Sequence, residues 1–344
     1  MTVMKNSTHI LVTGGAGYIG SHTVIELVEA GYRVTVIDNL ERSDYKTIEG
    51  IEAITKSKID FHKLDCLDSS AMESLFSKNS FSAVIHFAAF KSVNESVAQP
   101  IAYYKNNVGS LITLLEVMKK HQVVDLVFSS SCTVYGQPDS IPVDESAPFK
   151  RAESPYGATK QICERILEDA ATTGFRIISL RYFNPIGAHP SVLIGELPIG
   201  IPNNLVPYIT QTAAGLREKL IVFGNDYNTP DGTCLRDFIH VLDVASAHVK
   251  AIQYVGQRKD ENVFEAFNLG TGIGVSVLEL VKKFIKVTGV NVPYTIGSRR
   301  PGDIEKVYAD PKKINKAFGW EAKYGLEESL LHSWKWEKKL RGKD

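Results

Sequence analysis

The 344-residue chain balances 39 Lys plus Arg against 39 Asp plus Glu, so it lacks the basic footprint that draws proteins to nucleic acid, and no such partner is expected. At 44% apolar residues, a chain of this length can bury the core of one large or two closely joined domains. It has no run of about 18 apolar residues and no long apolar stretch at its start, which argues against a membrane span or a secretory leader and makes the cytoplasm the expected compartment.

The first element, His9-Ile10-Leu11-Val12-Thr13, reads as a short buried strand, followed by a glycine-rich turn over 14–20 and a helix over 21–30 with Val24, Leu27 and Val28 on one face. In such a strand–turn–helix unit Gly14, Gly17 and Gly20, with Tyr18 and Ile19 between them, let backbone N–H groups approach a pyrophosphate at the helix N-terminus. The next strand, over 33–37, ends at Asp38-Asn39. A carboxylate there accepts hydrogen bonds from ribose hydroxyls and repels a 2′-phosphate, so the expected cofactor is NAD rather than NADP, although Arg42 close by weakens that preference.

Further apolar strands are expected over 59–64, 83–87, 126–130 and 176–182, with helices over 110–121 and 156–172. Alternation of this kind predicts an α/β fold, a Rossmann-like doubly wound parallel sheet with ligands outside the strand carboxyl ends. Asp65-Cys66, Phe87-Ala88, Lys91 and Ser129-Ser130-Ser131 all fall at such ends, and Asn106 is either a cofactor contact or a helix cap. After Asn184-Pro185 the chain becomes rich in Gly, Pro and Asn. The expected organisation is a nucleotide-binding domain over 1–184, to which part of 236–270 returns, and a smaller irregular α/β domain over 185–344. Cys66, Cys132, Cys163 and Cys234 have no metal-ligand spacing and read as free thiols; no metal is expected. The basic run Lys338-Lys339-Leu340-Arg341 reads as a solvated tail.

The reaction centre is read from Ser154-Pro155-Tyr156-Gly157-Ala158-Thr159-Lys160. Near the start of a helix, positions four apart share a face, so the phenol and the ammonium address one bound molecule. A free tyrosine has a pKa of ~10, and ionising it at pH 7 costs about 4 kcal/mol, so a base needs cations beside it. Lys160, an oxidised nicotinamide and the helix N-terminus would supply them, and Ser131 would steady the reacting hydroxyl.

With Thr13-Gly14-Gly15-Ala16-Gly17-Tyr18-Ile19-Gly20, Ser129-Ser130-Ser131-Cys132-Thr133-Val134-Tyr135-Gly136, Arg181-Tyr182-Phe183-Asn184-Pro185, Gly200-Ile201-Pro202-Asn203-Asn204-Leu205 and Arg236-Asp237-Phe238, the chain resembles the extended short-chain dehydrogenase/reductase superfamily and, within it, the UDP-galactose 4-epimerase family. The resemblance implies a UDP-hexose substrate, retained NAD, a homodimer pairing through helices near 103–118 and 156–170, and a place in galactose metabolism. It assigns Tyr182 to the cofactor side. To the sugar nucleotide it assigns Lys91, Ser131, Cys132, Thr133, Tyr156, Phe183, Asn184, Asn203, Asn204, Leu205, Phe223, Arg236, Val277, Arg300, Asp303 and Val307. Sister dehydratases carry acidic residues where this chain has Cys132-Thr133, which favours epimerisation. It also implies that Val307, being small, leaves room for an N-acetyl group at C2 of the sugar; the alternative reading is that Val307, with Tyr308, begins a core strand and never touches sugar. A UDP-sugar dehydratase or decarboxylase, an ordinary dehydrogenase and a non-enzymatic NAD sensor remain the competing readings.

Overall fold

A computed structural model, which describes residues 8–300 and 303–342, places the alternating apolar segments in one seven-stranded parallel sheet. In chain order its strands are β1 (His9–Thr13), β2 (Arg33–Asp38), β3 (Asp60–Lys63), β4 (Ala83–His86), β5 (Asp125–Ser131), β6 (Arg176–Tyr182) and a late strand, Val263–Leu269. Across the sheet they run Val263–Leu269, β6, β5, β4, β1, β2, β3. Every residue of β1, β4 and β5 is buried, as a parallel sheet covered on both faces requires. One face packs Val24, Leu27, Ile48, Val244 and Ile252, and the other packs Phe76, Leu111, Leu114 and Leu167. The strand order reverses between β1 and β4, which opens a crevice beyond their carboxyl ends.

Helix α1 (Tyr18–Glu29) starts at Tyr18 rather than Ser21, because the glycine turn closes directly into it with Gly17 at the N-cap. Periodicity did not reveal the helices Lys46–Thr55 and Ser69–Lys78, which bury few residues each. A π-helical turn, Tyr104–Val108, leads into the helix Gly109–Lys120 and carries Asn106, which therefore caps nothing. The basic run at 338–341 is not a loose tail: it closes the helix Leu326–Leu340, and Arg341 Nε donates to Glu337 Oε1 at 2.8 Å.

The rest of the chain builds small sheets above the strand ends. Asn184–Ile186 pairs in parallel with Phe238–His240, and Leu235–Arg236 lies between Val275–Ser276 and Lys306–Val307. Helices Leu205–Ala213, Val277–Thr288 and Leu326–Leu340 close over a separate core containing Ile209, Leu280, Phe284 and Leu330.

A buried charge pair sits behind the helix Pro155–Ala171. Glu164, fully buried, accepts from Arg181 Nη2 at 2.5 Å, from Ser130 Oγ at 2.5 Å and from Ser179 Oγ at 2.9 Å. Arg181 Nη1 donates to Tyr135 Oη at 2.9 Å, and that hydroxyl donates to Asn268 Oδ1 at 2.6 Å. Removing one member strands the other without water. Arg181→Met is therefore expected to destabilise the fold by about 3–5 kcal/mol, and the double change with Glu164→Met by less than Arg181→Met alone. Urea unfolding of the three proteins checks this; a single variant within 1 kcal/mol of the parent would contradict it.

Candidate active site

The crevice is a cleft of about 310 Å³ whose walls come from the turn after β1 and the segments following β2, β3, β4 and β5. Gly14 has φ +70°, and a Cβ on Gly20 would lie 2.4 Å from Gly14 O, so the turn interlocks only because both positions lack side chains. No side chain caps α1 and no acid lies in its first turn, so its amide end faces the cleft ready for an anion. These features fit the pyrophosphate of a dinucleotide.

At the end of β2 stands Asp38. Its carboxylate accepts from Ala16 N at 3.1 Å, Leu40 N at 2.9 Å and Ser43 Oγ at 2.8 Å, which fixes it in the lining. Asn39 Nδ2 donates to Asp65 Oδ2 at 3.1 Å, and Cys66 lies alongside. Arg42, the residue that weakened the preference for NAD, gives Nη2 to Glu95 Oε1 at 2.6 Å and stacks over Phe90 at 4.7 Å. A guanidinium already paired with a carboxylate is poorly placed to greet a 2′-phosphate. Spacing alone could not have revealed Glu95, which is 53 residues away in sequence.

Tyr156 and Lys160 line the same cleft, with Ser129 and Tyr182. Ser154 caps their helix by accepting from Gly157 N at 3.1 Å, with Pro155 in the first turn. Lys160 Nζ donates to Ser129 O at 2.6 Å and lies 5.9 Å from the centre of the Tyr156 ring. Burial pushes the Tyr156 phenol up to about 12, with the Ser131 hydroxyl drawing it partly back. Burial lowers Lys160 to about 8. In the chain alone the phenol therefore lies above its ordinary value, with burial as the leading cause.

Gly14, Gly17, Tyr18, Ile19, Gly20, Asp38, Asn39, Asp65, Cys66, Phe87, Ala88, Lys91, Asn106, Tyr156, Lys160 and Tyr182 all line this cleft, as do Asn203 and Asn204. The remaining sugar-side residues lie outside its lining. Phe183, Cys132 and Val307 share a core cluster with Tyr135, and Val307 is only 3% exposed. Arg236 lies beside Val307 in the strand ladder and reaches Asp303 at 3.9 Å; Arg300 pairs with Asp303 at 2.6 Å and covers the Phe223 ring at 5.4 Å. Val277 begins the helix just after Ser276, which pairs with Leu235. Asp237 binds this region together: buried, it accepts from Thr271 N at 2.9 Å, Gly272 N at 3.0 Å and Ala309 N at 3.1 Å. Thr133 Oγ1 and Asn184 Oδ1 are buried without a hydrogen-bond partner among the described residues, which is costly unless a bound molecule supplies one.

The family model for GDP-mannose 4,6 dehydratases matches residues 11–332. A UDP-glucose 4-epimerase of Bacillus subtilis is 52% identical over 330 residues, spanning 95% of this chain and 96% of that protein. The chain belongs to the UDP-glucose 4-epimerase family. Within it, the mouse UDP-glucose 4-epimerase is 47% identical over 337 residues, covering 96% of both chains. Among solved structures of the family, an epimerase of Stenotrophomonas maltophila with bound NAD and formylated UDP-arabinopyranose superposes with a TM-score of 0.94 at 46% identity, covering 97% of this chain and 99% of that one. One from Bifidobacterium longum in complex with NAD+ and UDP gives 0.92 at 46% identity, covering 96% and 98%.

Among the described residues, no helix is long and apolar enough to cross a membrane, and no group of three or more His, Cys, Asp or Glu could hold a metal. The four cysteines are free.

Burial holds several histidines neutral: His22, His86 and His240 are lowered to about 3 and His248 to about 4, against an ordinary 6.5. Among the described residues His22 Nε2 has no partner to offset this. Because these folded values lie below 6.5, the unfolded chain takes up protons first. Stability is therefore held above pH 6.5 and lost as pH falls toward 4 and then 3. The raised carboxyls of Glu26, Asp125, Glu145, Asp237 and Asp243 act in the opposite direction. Each histidine contributes up to ~1.4 kcal/mol per pH unit. Urea midpoints are expected to drop between pH 7 and pH 5, with a shallower drop in His22→Gln. A flat parent profile would refute the assignment.

Proposed function

We propose that this chain interconverts UDP-galactose and UDP-glucose by C4 epimerisation through a transient 4-keto sugar, with NAD retained between turnovers, as a step of galactose metabolism. The observation that carries this reading is a single cleft lined by Asp38, at the end of β2, and by Tyr156 and Lys160, whose ammonium is bonded to β5 three strands away. Asp38, Asp65 and the open end of α1 would hold the dinucleotide, with Lys160 toward its nicotinamide half. NAD, when bound, exchanges a hydride with C4 of the sugar and adds a second positive charge beside the phenol. Tyr156, as phenolate, takes the C4 hydroxyl proton and later returns it, while Ser131 hydrogen-bonds that oxygen. Arg236 and Arg300 would grip the diphosphate, since guanidinium forks match phosphate oxygens. Thr133 and Asn184 would complete the sugar site with their unpartnered oxygens. Holding the UDP portion while the hexose turns about its link presents both faces of C4 to one base.

On this reading residues 1–184, with the returning strand Val263–Leu269, form the NAD-binding unit and 185–344 mainly bind the UDP-sugar. Two copies pair through the helices Gly109–Lys120 and Pro155–Ala171, where Leu67, Val108, Ile112 and Ile162 line an open apolar groove. The protein works in the cytoplasm, which keeps its thiols reduced.

Purified protein given UDP-galactose without added NAD is expected to yield UDP-glucose; loss of water or carbon from the sugar would point to a dehydratase or decarboxylase. Tyr156→Phe should fold normally and lose about 10²–10⁴ in kcat. Near-parental turnover in the folded variant would sink the assignment.

We also propose activity on the N-acetylated pair. Val307 packs beside Phe183 and Cys132, and a tyrosine there would crowd the C2 side of the sugar. Val307→Tyr should then lose kcat/KM on UDP-N-acetylglucosamine while keeping it on UDP-galactose. Equal loss on both, or no N-acetyl activity in the parent, would rule Val307 out as the determinant.

A further inference from the structure

The segment 195–204 forms part of the cleft wall, to which Gly195, Glu196, Leu197, Ile201, Asn203 and Asn204 contribute. Hydrophobic burial does not hold this strap, since Ile199 and Ile201 remain 61% and 67% exposed. Its polar contacts converge instead on one carboxylate. Glu196 Oε1 accepts from Lys91 Nζ at 2.8 Å and from Asn204 Nδ2 at 2.7 Å, and the Glu196 side chain is only 11% exposed. Lys91 follows β4, in the half that carries the glycine turn, and its ammonium also sits 5.7 Å over the Tyr18 ring at the start of α1. Asn204 belongs to the other half. It occupies the N-cap of Leu205–Ala213, a position that favours asparagine because its side chain can accept a backbone N–H. Here it makes no such cap; its amide turns to Glu196. From behind, Trp336 Nε1 donates to Glu196 O at 2.8 Å, and a Cβ on Gly195 would lie 2.6 Å from that indole, so the strap seats against the helix Leu326–Leu340 through glycine.

We infer that Glu196 is a positioning residue that clasps the two halves at the cleft wall, aiming Lys91 and Asn204 inward and slowing the escape of bound nucleotide. This rests on the NAD-dependent reading above. Because the backbone carbonyl makes the contact to Trp336, changing the side chain opens the clasp without unseating the strap.

The test uses NAD-loaded parent, Glu196→Ala and Glu196→Gln proteins. Exchange of bound NAD against labelled NAD is followed without sugar at low and high salt, and kcat and KM are then measured for UDP-galactose. Glu196→Ala should exchange roughly tenfold faster and raise KM by a similar factor, with kcat changing by less than about threefold. Glu196→Gln keeps an acceptor for Asn204 but removes the charge facing Lys91, and should fall between the two. High salt should speed exchange in the parent and not in Glu196→Ala, because an accessible ion pair is screened. Exchange in Glu196→Ala within twofold of the parent, or an equal salt effect in both, overturns the clasp. A parent that holds NAD firmly yet converts no UDP-galactose overturns the epimerase reading and leaves the exchange result standing on its own.

Discussion

The buried pair of Glu164 and Arg181 is the constraint on which the reactive end of the molecule depends. Glu164 stands one turn beyond Lys160 on the same helix and takes its partners from β5 and β6, while Arg181 reaches Tyr135 in the turn after β5 and, through it, Asn268 of the strand Val263–Leu269. A charge so deep in the protein persists only while each of its hydrogen bonds is made. Its geometry therefore sets the rotation of the helix, and with it where the Tyr156 phenol and Lys160 ammonium point. Ser131, at the end of β5, is registered by the same strand whose Ser130 the carboxylate grips.

The electrostatics at that end divide labour in a way the motif does not announce. Burial raises the phenol and lowers the ammonium, so both groups are biased toward neutrality in the chain alone. A buried tyrosine that resists ionisation is protected from idle acid–base chemistry. On the proposed reading its activation would require positive charge brought by the cofactor, which would tie the competence of the base to the presence of the group that moves electrons.

Much of the nucleotide half was legible in the residues. Short apolar strands and a glycine turn have local causes, and β1 and β6 fall where periodicity placed them. The residues lining the cleft were readable because strand ends in a parallel sheet converge on one crevice. What could not be read was set by distant partners: Glu95 capturing Arg42, Glu196 capturing Lys91, and the orphaned oxygens of Thr133 and Asn184. The sugar side rested on resemblance, because Arg236, Arg300 and Val307 come together through strands of two residues with no periodicity to detect.

The edge strand of the main sheet has a consequence for how the protein is made. Val263–Leu269 pairs with β6 along seven positions, yet the intervening chain includes the residues that build much of the upper lobe. On a ribosome, where the N-terminal portion emerges first, the sheet waits with β6 unpaired at its border until that later stretch has been synthesised. The Asp237 carboxylate waits longer still, since one of its donors is Ala309 N. The two lobes are thus stitched by order of emergence as well as by contact, and neither reaches its final form as an independent product of translation.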